Sequence, residues 1–347
     1  MKVIITTLLL TLSSIALTGC SKATTPQQAD IAVFEQFLSE NPISSINPSI
    51  DIASIYQPGD PLFEGILNIQ RKLWGKAEKT LQPLADKKNP EAMYWLATIT
   101  YGSSIYDTPK AGKMLMEAAE LGNPYAALFF SPDSRYCNMY FKKQCSEKWV
   151  EKAQKLFAEQ AKTGDVRAVY YSTILKPDLT HEQYINAIIN AADNHYFYPL
   201  VEYSITLRES EKSNQEMKEL ASDLLNYARF YNFVPAIDAL MNHEGKHKRM
   251  KGPLYKELMQ QGIAMGSNDA WGGYSILSRH NNSLTETQKY IVAKANYLFN
   301  GDEFGISFVT PPKGKDALIV ANKKAQEKAD KVKKVIFIDG AHYQVLY

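Results

Sequence analysis

The sequence lacks most of the features that announce a function. It has three cysteines in 347 residues, too few for a scaffold built on disulfides. Neither sign of charge is in excess. The 39 Lys and Arg stand against 37 Asp and Glu, which leaves no global electrostatic reason to bind nucleic acid or a strongly acidic substrate. No Gly-rich phosphate loop occurs, and Gly273-Tyr274-Ser275-Ile276-Leu277 lacks the second glycine of a nucleophile elbow. The apolar run that opens the chain, Val3 to Leu17, is about 15 residues long, whereas a spanning helix needs ~20. Apolar and aromatic side chains, by contrast, are plentiful. At 45% hydrophobic and 11% aromatic the chain can bury a sizeable core, which excludes disorder as its main state.

The N-terminus carries an address. Met1-Lys2 is a short positive start, the apolar run follows, and it ends in Leu17-Thr18-Gly19-Cys20. This pattern resembles the bacterial lipobox, and the resemblance implies a lipoprotein signal peptide over residues 1–19 with Cys20 as the acylated first residue of the mature chain. Ser21 rather than Asp follows the cysteine, which by resemblance to the enterobacterial sorting rule favours the periplasmic face of the outer membrane over the inner membrane. Several acyl chains at ~0.8 kcal/mol per buried CH2 anchor a protein without any spanning helix. With Cys20 taken by lipid, Cys137 and Cys145 remain in an oxidising compartment and are expected to pair. Closing so short a loop contributes on the order of 2–3 kcal/mol if unstrained.

Residues 20–53 read as a polar, Pro-punctuated tether with one short helix around Ile31–Leu38. Residues 54–305 are periodic. Six segments share a junction in which a helix ends, a small or turn residue follows, and Ala or Pro opens the next apolar helix. They close on Ala92, Ala126, Ala168, Pro199, Pro235 and Ala270, spaced by 34, 42, 31, 36 and 35 positions. Amphipathic helices precede these junctions, as in Pro109–Ala119 and Trp149–Ala158. Their starts are signalled by Asp107, Ser146 and Thr180, and Gly122 and Gly164 supply left-handed stops. The expected fold is therefore all-α, an α-solenoid of helix pairs.

Within this array Ala92, Leu96, Tyr101-Gly102, Asp107, Lys110-Ala111, Ala118-Ala119 and Gly122 are similar to the pattern of a Sel-one-like repeat, a relative of the tetratricopeptide repeat. Later units keep the spacing and lose parts of the pattern: the unit from Gly164 lacks the Tyr-Gly helix end, and Pro199 and Pro235 replace Ala. Residues 306–347 break the periodicity. Between 313 and 334 there are eight Lys and three acids, a net of +5. That segment reads as a helix from Asp316, either a solvated face or one suited to anionic headgroups or an acidic partner. Two strand-like runs around Asp339-Gly340 then read as a β-hairpin, a terminal cap on the array.

One motif carries sharp chemistry: His243-Glu244-Gly245-Lys246-His247, formally H-E-x-x-H. On a helix its imidazoles lie one turn apart and could bind zinc, with Glu244 as general base. Gly245 and Lys246 weaken such a helix, and Lys246, Lys248, Arg249 and Lys251 repel a dication. Met250 and Pro253 stand where the longer zincin form needs Gly and a third His, leaving Glu257 as the nearest acidic third ligand. The segment reads instead as a solvated basic loop, and no metal or other cofactor is expected. His181, His195, His280 and His342 are scattered singly and read as surface or interface residues.

The aromatic excess is the more useful signal. Twenty-one Tyr, 14 Phe and four Trp gather at the repeat junctions. Most must pack between helices, but Tyr and Trp also suit a protein-binding surface, and stacked helix pairs present a concave face for one. Tyr94, Trp95, Tyr170, Tyr171, Tyr196, Tyr198 and Tyr231 are therefore the candidate partner-binding rings. The function expected is protein binding without catalysis. Sel-one-like lipoproteins of this size resemble immunity proteins that neutralise periplasm-acting toxins such as the phospholipase effectors of type VI secretion, so the resemblance implies a cognate toxin as partner. A scaffold or adaptor in envelope assembly is the alternative, and a zinc hydrolase using His243, Glu244 and His247 a lesser one.

Overall fold

The computed structural model describes residues 22–342; the lipobox with Cys20, and Tyr343–Tyr347, lie outside the described residues. Eighteen helices run in order: α1 (Asp30–Glu40), α2 (Phe63–Gln70), α3 (Trp74–Asp86), α4 (Pro90–Thr98), α5 (Asp107–Glu120), α6 (Pro124–Phe129), α7 (Arg135–Tyr140), α8 (Glu147–Ala161), α9 (Val166–Ile174), α10 (His181–Asp193), α11 (Tyr198–Glu209), α12 (Gln215–Phe230), α13 (Val234–Lys246), α14 (Pro253–Met265), α15 (Asn268–Arg279), α16 (Glu286–Asn300), α17 (Glu303–Ser307) and α18 (Lys315–Asp330). From α2 to α16 helices pack on their neighbours in chain order, α6 reaching α8 past the short α7. The fold is all-α and solenoid-like, with no strand among the described residues.

The junctions explain why the chain folds this way. At each of the six, the backbone turns left-handed at one residue: Lys88, Gly122, Gly164, His195, Asn232 and Gly266, with φ between 59° and 102°. The left-handed residue ends one helix, and the amide of the following residue returns to the helix it has just left: Asn89 to Leu84 O, Asn123 to Ala118 O, Tyr196 to Ala191 O and Ser267 to Gly262 O. This is the Schellman arrangement, which satisfies carbonyls the helix end would otherwise orphan. The next helix then starts on a cap. Asn89, Asn123, Asp165 and Ser267 accept hydrogen bonds from amides two or three residues on, while Pro90 and Pro124 occupy positions whose amide has no helical partner anyway. Half of the left-handed stops are not glycine, so this periodic element was only partly visible in the composition of the junctions.

The array does not stay open. Asn268 at the start of α15 donates to the carbonyl of Gln70 at the end of α2, 2.7 Å away. The Arg71 guanidinium lies 4.9 Å from the centre of the Phe299 ring on α16. The end of α2 therefore touches the start of α15 and the end of α16, so the array curves round as a ring whose two ends meet at these two contacts. Residues preceding the array are fastened along its junctions. Phe34 and Phe37 of α1 pack on Tyr203 and Tyr227, Asn47 N donates to Phe230 O, and Ala53 N donates to His195 O.

After α18, which packs on α16, the chain turns back across the inner side of the ring. Lys333 N donates to Ala264 O, and Ile336, Phe337, Ile338 and Asp339 are all buried. Of the expected hairpin, the first arm forms no strand among the described residues, and its backbone bonds go to the Gln70 side chain instead. The residues of its second arm beyond His342 lie outside the described residues. No helix among the described residues is long and apolar enough to cross a membrane.

Candidate functional site

The seven rings proposed as a partner surface are largely out of reach of a partner. Tyr94, Trp95, Tyr170, Tyr171, Tyr196 and Tyr198 are at most 6% exposed, and half-buried Tyr231 lies against His195, Phe197 and Tyr227. This corrects the expectation that a subset would be exposed. Tyr94, Tyr196 and Tyr198 line a face that is already covered by the chain's own C-terminal segment, 335–342, whereas Trp95 meets Tyr56 ahead of α2.

The cover is made residue by residue. Gln70, 1% exposed, uses both ends of its amide: Nε2 donates to Val335 O at 2.8 Å, and Oε1 accepts from Phe337 N at 2.9 Å and Ile338 N at 3.3 Å. The Tyr94 hydroxyl donates to the Gly340 carbonyl. At Gly340 any Cβ would enter the Tyr125 ring, so only glycine passes at this point. Tyr196 Oη donates to Asp339 Oδ2 at 2.7 Å, and the amides of Ala341 and His342 both donate to Oδ1 at 2.9 Å. His342 lies flat on Tyr198 with ring centres 3.8 Å apart. Its Nδ1 is 2.8 Å from Asp339 Oδ1 and its Nε2 3.0 Å from Glu202 Oε1.

The electrostatics follow from burial. Dehydration by itself lowers an imidazole's pKa, but Asp339, then Glu202, carry that of His342 up to about 10. Burial raises the Asp339 carboxyl, and the adjacent imidazolium with the Tyr196 hydroxyl outweighs it, leaving the group below the usual carboxylate range. The phenols of Tyr125, Tyr171, Tyr196 and Tyr198 are pushed well above their ordinary value, first by burial and then by Asp339, so they remain donors. None of Gln70, Glu202, Asp339 and His342 was singled out from the sequence as part of a site. His342, read there as a surface or interface histidine, is itself buried at the centre of an ion cluster whose Glu202 reaches solvent. The Asp-Gly pair does turn the chain, with His342 N donating to Asp339 O at 3.2 Å, and the turn presents the Asp339 carboxylate to the cluster.

The H-E-x-x-H segment is also corrected. His243 to Lys246 form the last turn of α13 rather than a loop, because Ala236, Ile237, Leu240 and Met241 seat that helix in the core. His243 and His247 have ring centres 4.4 Å apart, beside a cleft of about 1090 Å³ lined by Arg208, Lys218, Lys246 and Arg249 among others. Glu244 is gripped by Arg249 through two bonds of 2.9 and 2.6 Å, and that pairing holds its carboxyl below the usual range. Dehydration, then Arg208, lowers the pKa of His243. Glu257, the expected third ligand, pairs with Arg229 instead. Among the described residues no three His, Cys, Asp or Glu side chains are grouped to hold a metal ion.

What the molecule does expose lies elsewhere. Ile105 and Tyr106 are 82% and 76% exposed on the loop before α5. That loop lies beside α7, where Tyr101 packs on Tyr140 with ring centres 5.3 Å apart. Met139 and Tyr140 of α7 are exposed too. A disulfide joins Cys137 in α7 to Cys145 ahead of α8. It is covered on one side by Phe141, which packs on Phe129 and Phe130. A second exposed pair, Phe304 and Phe308, stack edge to face on α17 and its end. Both patches consist of the large apolar and aromatic side chains that anchor protein interfaces. Compared with known proteins, the chain matches no family model and no curated sequence.

Proposed function

We propose that this chain is a lipid-anchored, protein-binding helical-repeat protein of the bacterial envelope that acts by binding and blocking a periplasm-acting toxin. The observation that carries this reading is the exposure of Ile105, Tyr106, Met139 and Tyr140 on two neighbouring segments that meet through Tyr101 and Tyr140, the second of them fastened by the Cys137–Cys145 disulfide. A rigid scaffold loses little conformational freedom when it docks, which leaves more of the contact energy for affinity. Two features of the sequence supply the rest. The lipobox ending at Cys20 supports a tether that holds the binder at the membrane where a lipase attacks, and the Sel-one-like pattern of residues 89–130 is similar to that of immunity lipoproteins.

The test uses the product of the adjacent gene. Purified full-length mature chain is mixed with it, and binding is measured by calorimetry with the unmodified chain and with Ile105→Asp and Tyr106→Asp. A toxin that binds, and loses at least tenfold in affinity with either variant, supports the reading. A toxin that fails to bind overturns it, and an envelope defect in cells lacking the gene but facing no toxin points instead to a scaffold.

A further inference from the structure

The C-terminal segment is held as a solenoid holds a ligand. Its backbone is read by side chains: Gln70 takes one carbonyl and two amides, and Tyr94 takes the carbonyl of Gly340. Backbone reading of this kind accepts any extended peptide of suitable shape. Specificity is added at two positions. The carboxylate of Asp339 meets the Tyr196 hydroxyl at 2.7 Å, and the following residue must be glycine to pass the Tyr125 ring. Three apolar side chains, Ile336, Phe337 and Ile338, are buried just before them. Beside Gly340 and Ala341 lies a surface hollow of about 270 Å³ whose lining among the described residues includes Tyr94, Tyr125, Leu128 and Phe129, and the small Ala341 side chain covers little of it.

From this we propose that the inner face of the ring is a peptide-binding groove, that residues 335–342 occupy it as an internal ligand, and that its exchangeable occupant is an extended segment of a partner protein bearing three apolar residues, Asp-Gly, and a large apolar residue in the place of Ala341. The internal segment is tethered, so its effective concentration is high and a foreign peptide competes only by binding better. The hollow beside Ala341 supplies that advantage: a larger apolar side chain at this position would cover more of it and gain apolar burial that Ala341 forgoes. The groove would then open only to a partner whose sequence improves on the tail. This inference is independent of the toxin reading, since it concerns a different surface, and failure of a toxin to bind at Ile105 and Tyr106 leaves it standing.

Two measurements test it. In the unmodified full chain, native-state hydrogen exchange should show the amides of Phe337 and Ile338 opening at a lower free energy than the amides of α4 and α11, because an exchangeable occupant leaves without unfolding the ring. In the full-length Gly340→Leu variant the internal segment cannot seat. With helical content by circular dichroism unchanged, that variant should bind a fluorescein-labelled peptide spanning Lys334 to His342 saturably, and about tenfold or more tighter than the unmodified chain does. The same peptide with Asn in place of Asp339 should bind about tenfold more weakly, and one with Leu in place of Ala341 about tenfold more tightly. Tail amides that exchange only when the whole ring unfolds, a Gly340→Leu variant that loses its helices, or a folded variant that ignores the peptide each overturn the proposal by showing the segment to be ordinary core.

Discussion

Gln70 is the point at which the ring grips its own tail, and replacing it measures that grip. Its side chain is 1% exposed and satisfies three main-chain groups at 2.8, 2.9 and 3.3 Å. Gln70→Ala leaves Val335 O, Phe337 N and Ile338 N buried without partners. An unsatisfied buried polar group costs ~1–3 kcal/mol, so three of them sum to about 3–9 kcal/mol. A water entering the space left by the shortened side chain would rescue part of this, which makes about 3 kcal/mol the expected loss. Gln70→Met separates packing from hydrogen bonding, because Met restores most of the volume and none of the bonds. Urea denaturation of all three proteins, with amide exchange read at residues 337 and 338, is the assay. Met, which leaves no room for such a water, should lose at least as much stability as Ala, and both amides should lose protection in both variants. If Met recovers the wild-type stability, or if Ala costs less than ~1 kcal/mol with the amides still protected, then the bonds to Gln70 do not hold the tail and the reasoning fails.

Three further outcomes are expected. The His342 pKa is raised in the fold from near 6.5 to about 10, so its contribution is complete below pH 6.5 and lost as pH rises toward 10. The Asp339 pKa is lowered from near 3.8, so its contribution is present above pH 3.8 and lost below; tail protection by hydrogen exchange should therefore be greatest between about pH 4 and 6.5, and His342→Gln should flatten the alkaline side. Asp238, pushed up to about 8 by burial and then by Asp269, works in the opposite sense: the chain loses stability as pH rises from about 4 through 8, and Asp238→Asn should be more stable than the unmodified chain at pH 9, by ~1 kcal/mol or more in urea titrations. Replacing Cys137 and Cys145 together by Ala should cost about 2–3 kcal/mol and make the neighbouring loop at 100–106 susceptible to limited proteolysis; stability equal to that of the oxidised chain would contradict this.

The helices were legible because their signals are local. Asn89-Pro90 and Asn123-Pro124 announce a cap and a first helical residue within two positions, and Gly122 and Gly164 announce a stop. The same stop at Lys88 was not legible, since lysine seldom takes a left-handed backbone, and at His195 and Asn232 it was only faintly so, since these types adopt it more often than most but far less than glycine. The candidate site was legible only in outline. The rings were recognised as a lining, yet periodicity cannot say whether a lining is covered by a partner or by the chain itself. Tyr94 meets Gly340 across 246 residues and Tyr196 meets Asp339 across 143, and no short pattern encodes such pairs. Asp339-Gly340 follows the rule for a turn and does turn, but the rule says nothing of its second role as a carboxylate anchor and a steric gap. In the H-E-x-x-H segment, Gly and Lys argued for a loop, and four apolar residues upstream outvoted them.

Closure of the ring has a consequence for how the molecule comes into being. A linear repeat array can begin to unravel at either terminus, one pair at a time, because its outermost pairs each lack a neighbour. Here Gln70 and Asn268, and Arg71 and Phe299, put the outermost pairs in contact, so opening either end of the array must also break these contacts. The same arrangement delays completion. A chain emerging N-terminus first must wait some 200 residues after α2 before α15 arrives, and longer still for the segment that fills the interior. Until then the aromatic lining faces water, and an interrupted or truncated chain presents it as a sticky surface to chaperones and to other unfinished copies.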